Sequence, residues 1–218
     1  MAKLLILSDS SRYSTSRLAD ELTSMGHRVR YMNISNEPLA LSVINEYDLT
    51  VLVSMNPYTA LSIALATSKS INPAVGIINS LSVVKLLKEQ GLDYLVVAGD
   101  SAVKLAFTNG PYYFNTVWSL GLGGFVDTVE GARSILEYRH YLKNPLTSAS
   151  VLVKLNGEES RIFATIKHSI YGELLRRLNL YFAELTVING NATEANPTPE
   201  IPMESIKEVA QVVDEYAE

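Results

Sequence analysis

Three glycines interrupt two apolar stretches near the middle of the chain, in the sequence FNTVWSLGLGGFVDT at residues 114–128. Glycine loops can cradle a phosphate group, because backbone N–H groups with no neighbouring side chain approach the oxygens closely. The residues that would contact phosphate here are Ser119, Gly121, Gly123 and Gly124. No Lys or Arg lies between Gly110 and Gly131, so the loop brings no cation to balance phosphate charge. We therefore favour a tight hairpin, in which the glycines only permit positive φ, over a phosphate-binding loop.

A second group of polar residues, SDSSRYSTS at residues 8–16, follows a short apolar run and precedes residues with helical spacing. Hydroxyl groups at the start of a helix can bind phosphate, but Ser and Thr more often cap the helix, and we favour capping. If the apolar runs form parallel strands, ligands would bind at the carboxyl ends of those strands. The candidate residues of this N-terminal crevice are Ser10, Ser14 and, after a later apolar run, Asn56.

The rest of the sequence contains no motif for dinucleotide binding, hydrolysis or metal binding. The spacing Gly121-x-Gly123-Gly124 departs from the pattern G-x-G-x-x-G, and no G-x-S-x-G pattern accompanies the serines. The 3 histidines lie far apart and have no carboxylate at metal-ligand spacing. We accordingly assign no catalytic residue and no metal ligand.

The composition restricts the class of partner and the compartment. A formal net charge of -5 and a pI of about 5.3 argue against a nucleic-acid-binding surface, which needs clustered Lys and Arg. No apolar stretch approaches the roughly 20 residues of a membrane span, so we expect no membrane partner. The absence of cysteine and of a signal peptide favours the reducing cytoplasm.

The first 92 residues are predicted to form a doubly wound parallel sheet. Continuous apolar runs alternate with helical patterns there, which is typical of parallel strands covered on both faces. The predicted strands are residues 3–7, 27–32, 48–53 and 75–78, and the predicted helices are residues 17–25, 60–68 and, at the end of this part, 81–90.

Residues 93–188 are predicted to form an α+β lobe with antiparallel strands, and residues 189–218 a loop and a C-terminal helix. A strand at 95–98 comes first, strands 112–117 and 124–126 flank the glycine loop, and strands 150–155 and 161–166 are joined across Asn156-Gly157, a strong hairpin signal. The predicted helices are residues 101–107 and 130–141, and residues 171–178 continue the lobe. Residues 189–202 are polar and contain proline, which favours a loop before the helix at 203–216.

This order of segments resembles the ATP-grasp ligases of the branch that contains RimK and LysX. The resemblance covers nearly the whole chain and is carried by ILSDSSRYSTSRLADELTSMGHRVR, GIINS, VDTVEGARSILEYR and VLVKLNGEESRIFATIKHSIYGELLRR. It implies a pre-ATP-grasp domain followed by an ATP-grasp-like lobe. It also implies a reaction in which ATP phosphorylates a carboxylate and an amine attacks the acylphosphate, with Mg²⁺ held by oxygen ligands.

Several residues of that pattern are replaced or expected to be missing. The Lys-Pro pair of the family corresponds to Asn115-Thr116 in this chain. The acidic residue that the family carries in its hinge strand is expected near Val151, where this chain is apolar. Lys85 is a poor substitute for an ATP-binding Lys that the family carries earlier in the chain. Because the chain stops after the helix ending near Glu218, we expect the lobe to lack its final strands, which carry a metal-binding acid and a Glu-x-Asn motif. The resemblance leaves three candidate binding residues: Arg161, Arg176 and Asn189.

Three functions remain open. The first is a catalytically impaired ATP-grasp protein that binds or regulates a partner, either another copy of itself or a ligase of the same family. The second is an ATP-dependent carboxylate–amine ligase whose site is completed by another chain, and only then would ATP and Mg²⁺ be cofactors. The third is a small-molecule binding module that uses the N-terminal crevice.

Overall fold

The computed structural model describes residues 1–67, 69–97, 112–119, 123–126, 128–141 and 149–217. The strands are β1 (Lys3–Ser8), β2 (Arg28–Asn33), β3 (Leu49–Leu52), β4 (Ser70–Ile71), β5 (Tyr94–Val97), β6 (Tyr112–Thr116), β7 (Gly124–Val126), β8 (Ser150–Val153), β9 (Glu159–Thr165), β10 (Phe182–Ile188) and β11 (Asn191–Asn196). The helices are α1 (Tyr13–Ser24), α2 (Leu41–Ile44), α3 (Pro57–Ala64), α4 (Ala74–Leu81), α5 (Val83–Glu89), α6 (Val129–Tyr141), α7 (Gly172–Leu178) and α8 (Ile206–Ala217).

Packing divides the chain into two units that are each discontinuous in sequence. Unit 1 contains Met1–Ile78, Phe163–Glu184 and Asn196–Glu218, and unit 2 contains Asn79–Ile162 and Leu185–Ala195. The sequence-based domain boundaries at 92 and 188 stay a prediction. None of the helices in the described part of the chain is both long and apolar enough to cross a lipid bilayer.

Unit 1 is built on a parallel sheet with the strand order β2-β1-β3-β4. Residues Leu4 to Leu7 of β1 are fully buried, because a central parallel strand is covered on both faces. Leu18 and Leu22 of α1 belong to the same apolar cluster as Val209 and Val213 of α8. The predicted α/β fold class with a doubly wound parallel sheet is therefore confirmed.

One local prediction for unit 1 is wrong. Residues 75–78 lie in α4 and not in a strand, and the fourth strand of the sheet is the shorter β4. A short apolar run does not distinguish a strand from a buried helical segment, and tertiary packing decided this case. A Cβ on Gly76 would lie 3.0 Å from the carbonyl carbon of Asn179 and closer still to its oxygen, so α4 needs glycine where it meets this backbone.

The three segments of unit 1 are joined by one buried amide side chain, that of Asn72. Its Nδ2 donates hydrogen bonds to the carbonyl oxygens of Phe182, at 2.8 Å, and Pro197, at 2.6 Å. Its Oδ1 accepts a hydrogen bond from the backbone N–H of Tyr181 at 2.7 Å. Asn72 is completely buried and has a φ of 55°, a left-handed conformation that asparagine tolerates better than most residues.

Unit 2 contains an antiparallel sheet with the strand order β5-β8-β6-β7. Alternate residues of its strands point to opposite faces, so Tyr113 and Val151 pack with α5 while Phe114 and Leu152 pack with Ala132 of α6. Strands β6 and β7 pair as the hairpin that we predicted around the glycine loop. The predicted helix at residues 101–107 lies outside the described residues.

A third sheet, with the order β11-β10-β9, overturns two predictions for the second half of the chain. Strands β8 and β9 belong to different sheets, so Asn156-Gly157 is not the turn of a hairpin between them. The turn with hairpin geometry is Asn189-Gly190, with φ values of 47° and 80°, which matches the positive φ required by a two-residue type I′ turn. Residues 191–196 therefore form β11, where we had predicted a loop.

Replacement of Asn72 by alanine is expected to destabilise unit 1 strongly. The substitution would remove three hydrogen bonds, two of them fully buried at the carbonyl groups of Phe182 and Pro197 and one partly buried at the N–H of Tyr181. We expect a loss of about 3 kcal/mol in the free energy of unfolding and a melting temperature lower by about 6–12 °C. Calorimetric melting would measure both. The exposed Asn45→Ala serves as the matched control, and an Asn72→Ala protein as stable as that control would contradict the assignment.

Candidate functional site

The candidate functional site in unit 2 is a group of polar side chains around Glu194 on β11, which we call the Glu194 cluster: Tyr113, Asn115, Thr193 and Glu194. The Nδ2 of Asn115 donates a hydrogen bond to Oε1 of Glu194 at 2.6 Å and a longer one to the hydroxyl of Tyr113 at 3.5 Å. The Oδ1 of Asn115 accepts from the backbone N–H of Thr116 at 2.8 Å. Both hydrogen-bonding ends of the Asn115 side chain are therefore in use.

Strand β6 and the glycine after the loop position this cluster. Tyr113 and Asn115 are two residues apart on β6 and so point to the same face of the sheet, where both are buried. A Cβ on Gly123 would lie 2.7 Å from Cζ of Tyr113, 2.8 Å from Nδ2 of Asn115, and closer still to the Tyr113 hydroxyl oxygen. Gly123 is therefore required because two side chains of the hairpin lie against its backbone.

Burial controls the protonation of the two acids in the cluster. Loss of water around the carboxyl group raises the pKa of Glu194, and the negative charge of Glu159 adds to this effect. Hydrogen bonds from Asn115 and Tyr113 and the positive charge of Arg161 oppose it. Burial, followed by the charge of Glu194, also raises the pKa of Tyr113, so its hydroxyl stays neutral.

The residues that we had expected to contact phosphate are only partly brought together. Gly123 touches the Glu194 cluster, Gly124 begins β7, and the backbone N–H of Ser119 donates to the carbonyl oxygen of Leu81 at 2.7 Å. Gly121 lies outside the described residues. The loop therefore contributes Gly123 to the cluster through close packing.

The three residues that the resemblance suggested have different surroundings. Arg161 is exposed on β9 and its charge acts on Glu194 within unit 2. Asn189 forms the β10–β11 turn, where its carbonyl oxygen accepts from Nδ2 of Asn191. Arg176 lies on α7 in unit 1, where Nη2 donates to the carbonyl oxygen of Ile166 at 2.8 Å. Arg161 is the one of the three that acts on the Glu194 cluster.

The residues proposed for the N-terminal crevice bond mainly to their own chain. The hydroxyl of Ser10 donates to the carbonyl oxygen of Ser54 at 2.9 Å, and the side chain of Asn56 caps α3 by accepting from Tyr58 N at 2.9 Å. The Oγ of Ser14 is buried without a partner within the part of the chain that the structure covers. Helix α1 follows Arg12 with no side-chain cap, so the predicted Ser or Thr cap is wrong.

The point where the strand order changes direction, between β1 and β3, is filled by the chain itself. The backbone N–H of Ser54 donates to the carbonyl oxygen of Pro199 at 3.0 Å. The backbone N–H of Met55 donates to the carbonyl oxygen of Thr198 at 3.3 Å. The hydroxyl of Thr198 donates back to the carbonyl oxygen of Met55 at 2.8 Å. Backbone groups that could contact a ligand at this switch point are therefore already paired.

Sequence reasoning missed the acidic residues of β10 and β11. Glu184 lies on β10, and Glu194, Ala195 and Asn196 on β11 match the Glu-x-Asn pattern that we had expected only in missing strands. We had expected strands with these residues to be missing after the C-terminal helix, but β10 and β11 carry them before that helix. The Asn189-Gly190 pair after a β-prone run was the available signal, and it has the same form as Asn156-Gly157.

The residues of the Glu194 cluster do not fit a Mg²⁺ ion. Magnesium binds ionised carboxylates and other hard oxygen atoms in near-octahedral geometry. Glu194 is instead only partly exposed, desolvation raises its pKa, and one of its oxygens already accepts the amide of Asn115. Among the described residues, no three His, Cys, Asp or Glu side chains are grouped so that they could hold a metal ion.

Among the comparisons with known proteins, the one with solved structures identifies the fold. No family model matches the sequence, and no curated protein is significantly similar to it. A RimK domain ATP-grasp protein from Sphaerobacter thermophilus DSM 20745 is similar in structure, with a TM-score of 0.72, 13% identity and 99% of each chain covered. The D-cycloserine synthetase DcsG has a TM-score of 0.68 and 12% identity, also with 99% of each chain covered.

A third similar structure is the ATP-grasp ligase PsnB in complex with its precursor peptide PsnA2 and AMPPNP. Its TM-score is 0.66 at 10% identity, and the match covers 99% of this chain and 97% of that one. Likeness at such low identity establishes the architecture alone. The chain accordingly has an ATP-grasp ligase-like fold.

Replacement of Gly123 by alanine is expected to disrupt the Glu194 cluster, whereas replacement of the next glycine should not. The new methyl group would overlap Tyr113 and Asn115, but a Cβ on Gly124 meets no atom within 4 Å. We expect Gly123→Ala to lower stability by about 1–3 kcal/mol and Gly124→Ala by less than about 1 kcal/mol. Denaturant unfolding measures the pair, and equal effects of the two substitutions would argue against close packing at Gly123.

The Glu194 carboxyl group is expected to make stability depend on pH. Its pKa is raised in the folded protein, so its contribution is fully present below the unfolded value of 4.5 and is lost as pH rises through the folded pKa. Glu194→Gln keeps an acceptor for Asn115 but cannot ionise. The melting temperature of the wild-type protein should therefore fall relative to that of Glu194→Gln as pH increases above 4.5. A constant difference between pH 4 and pH 8, roughly the range in which a shifted carboxyl titrates, would contradict the burial argument.

Proposed function

We propose that this protein is an ATP-grasp-type protein with impaired ligase chemistry that acts as a binding or regulatory partner. The hydrogen bond between Asn115 Nδ2 and Glu194 Oε1, at 2.6 Å, is the observation that carries the proposal. Asn115 stands where the resemblance calls for a lysine. A neutral amide therefore hydrogen-bonds to the partly buried acid at the position where a nucleotide-binding cation is expected.

The charge balance of unit 2 supports this proposal. A bound triphosphate needs cations along its oxygens, because phosphoryl transfer depends mostly on positioning and charge neutralisation. The chain has no Lys or Arg between Gly110 and Gly131, and the ammonium group of Lys85 forms an ion pair with Glu89 one turn along α5. Val151, near the position of the expected acidic residue, is buried in the apolar core of unit 2.

The partner in this proposal is a second copy of the chain or a ligase of the same family, in the cytoplasm. A fold can persist after its chemistry is lost, because the apolar clusters that stabilise it contain none of the catalytic groups. The buried clusters of unit 2 consist of aliphatic and aromatic side chains and need neither nucleotide nor metal. A binding protein needs the fold but not the catalytic groups, so a binding role is compatible with lost catalysis.

A second candidate function is an ATP-dependent carboxylate–amine ligase that obtains its missing cations from another chain. The acids Glu184 and Glu194, with Asn196, favour it, because β10 and β11 carry the pattern that the resemblance associates with metal binding. Residues from a second subunit can complete a site in symmetric oligomers. The small-molecule module has less support, because Ser10 and Asn56 are bonded within the chain.

The impaired-ligase proposal is tested by measuring the binding of ATP and Mg²⁺ calorimetrically. We expect no saturable binding of ATP by the wild-type protein up to about 1 mM, because unit 2 has too few Lys and Arg side chains near the glycine loop to balance the triphosphate charge. Asn115→Lys restores one cation beside Glu194 and should strengthen binding by at least about tenfold. Asn45→Lys adds the same charge at an exposed site of unit 1 and should change nothing.

Micromolar ATP affinity of the wild-type chain, with ADP released when amino acids are supplied, would disprove impairment and support the ligase. If ATP is hydrolysed only by an assembled oligomer, the second candidate is favoured. Sedimentation of the same wild-type sample reports its oligomeric state. A monomer that also fails to bind a ligase of the family would remove the basis of the partner role.

A further inference from the structure

We propose that a cavity in unit 1, separate from the Glu194 cluster in its residues, binds a small phosphomonoester. The cavity has a volume of about 330 Å³. Its lining contains three cations, one acid, one aromatic and one aliphatic residue: Lys3, Arg28, Arg30, Glu46, Tyr47 and Val29. We call it the β1–β2 cavity, and the proposal does not depend on the impaired-ligase function.

Strand register collects the three cations on one face of the sheet. Lys3 is the first residue of β1 and pairs directly with Arg28, the first residue of β2, in the parallel ladder. Paired residues of neighbouring strands point to the same face, and so does Arg30, two residues further along β2. All three side chains are exposed. This arrangement sets two positive charges directly opposite each other and a third beside them.

These charges are only partly compensated by the protein. The guanidinium of Arg30 lies 3.7 Å from the carboxylate of Glu37, and both side chains are about half exposed. The carboxylate of Asp48 accepts the backbone N–H of Lys3 at 2.7 Å. Across the residues that the structure describes, no carboxylate lies within 4.0 Å of the Lys3 ammonium or the Arg28 guanidinium.

Such an arrangement is unfavourable in the absence of a bound anion. Like charges directly opposite each other in a sheet are destabilising, and neither Lys3 nor Arg28 has an ion-pair partner there. The chain as a whole has a net charge of -5, so a concentration of three cations in one cavity is a departure from its average. An anion with two charges would offset the repulsion and hydrogen-bond to both strands.

The residue types indicate the chemistry of the ligand. Arginine presents a planar set of donors that matches phosphate oxygens in a bidentate manner, and lysine adds a point charge. The partly buried side chain of Tyr47 also gives the cavity an aromatic side. A phosphate monoester with an apolar or aromatic body would use both features. Inorganic phosphate would use only the first.

The proposal is tested by titrating the wild-type protein with phenyl phosphate, inorganic phosphate and phenol at low salt. We expect phenyl phosphate to bind more tightly than inorganic phosphate and phenol not to bind. Arg28→Gln and Lys3→Gln should each weaken the binding of phenyl phosphate by about tenfold. Tyr47→Ala should weaken phenyl phosphate selectively and leave inorganic phosphate unchanged.

Arg17→Gln is the matched control, because Arg17 is an exposed arginine of unit 1 that is paired with Asp20 on α1. Its affinity should equal that of the wild-type protein. Thermal melting verifies that every variant is folded. The proposal is overturned if phenyl phosphate does not saturate by about 10 mM or if Arg28→Gln binds as the wild type does. Tighter binding of a hexaglutamate peptide that is lost in Arg28→Gln would replace the phosphomonoester by an acidic segment.

Discussion

The side chain of Asn72 is the interaction on which unit 1 depends. Unit 1 consists of three separate segments, and this one amide bonds to backbone groups of Tyr181, Phe182 and Pro197 in the other two. Two of its partners, Phe182 and Pro197, are buried, so no water could replace the amide there without rearrangement. The left-handed conformation at Asn72 is maintained because the hydrogen bonds determine where the side chain must lie.

The segments held by Asn72 flank residues 185–195 in the chain, and this stretch brings Glu194 into unit 2. There the acid meets an amide and a phenol, where a cation would give an ion pair. A buried carboxyl group with neutral partners has a raised pKa, whereas a buried ion pair would lower it. A cation in place of Asn115 would therefore change both the charge of the site and the protonation of its acid.

Positive charge is unevenly distributed along this chain, so the glycine loop and the β1–β2 cavity differ in their attraction for anions. The stretch around the glycine loop has none, so it is poorly suited to a triphosphate. The first residues of β1 and β2, together with Arg30 of β2, place three cations beside one another. Electrostatic attraction to anions is thus expected at an edge of the unit 1 sheet, and the glycine loop fills a packing role through Gly123.

The sequence by itself determined the elements whose signals are local. Continuous apolar runs identified β1 and β3 as buried parallel strands, and the glycines between two β-prone runs identified the β6–β7 hairpin. These features depend on residues within about ten positions of one another, because periodicity and turn chemistry act over that distance. The resemblance, drawn from several such motifs together, anticipated the ATP-grasp ligase-like fold.

Only the tertiary structure decided which distant elements meet. Asn156-Gly157 and Asn189-Gly190 carry the same turn signal, but only the second has hairpin geometry, since strands β8 and β9 have other partners in their sheets. Asn115 and Glu194 are 79 positions apart, and no local pattern predicts their hydrogen bond. The physical reason is that pairing over such separations is fixed by the burial of whole sheets, which a short stretch of sequence does not encode.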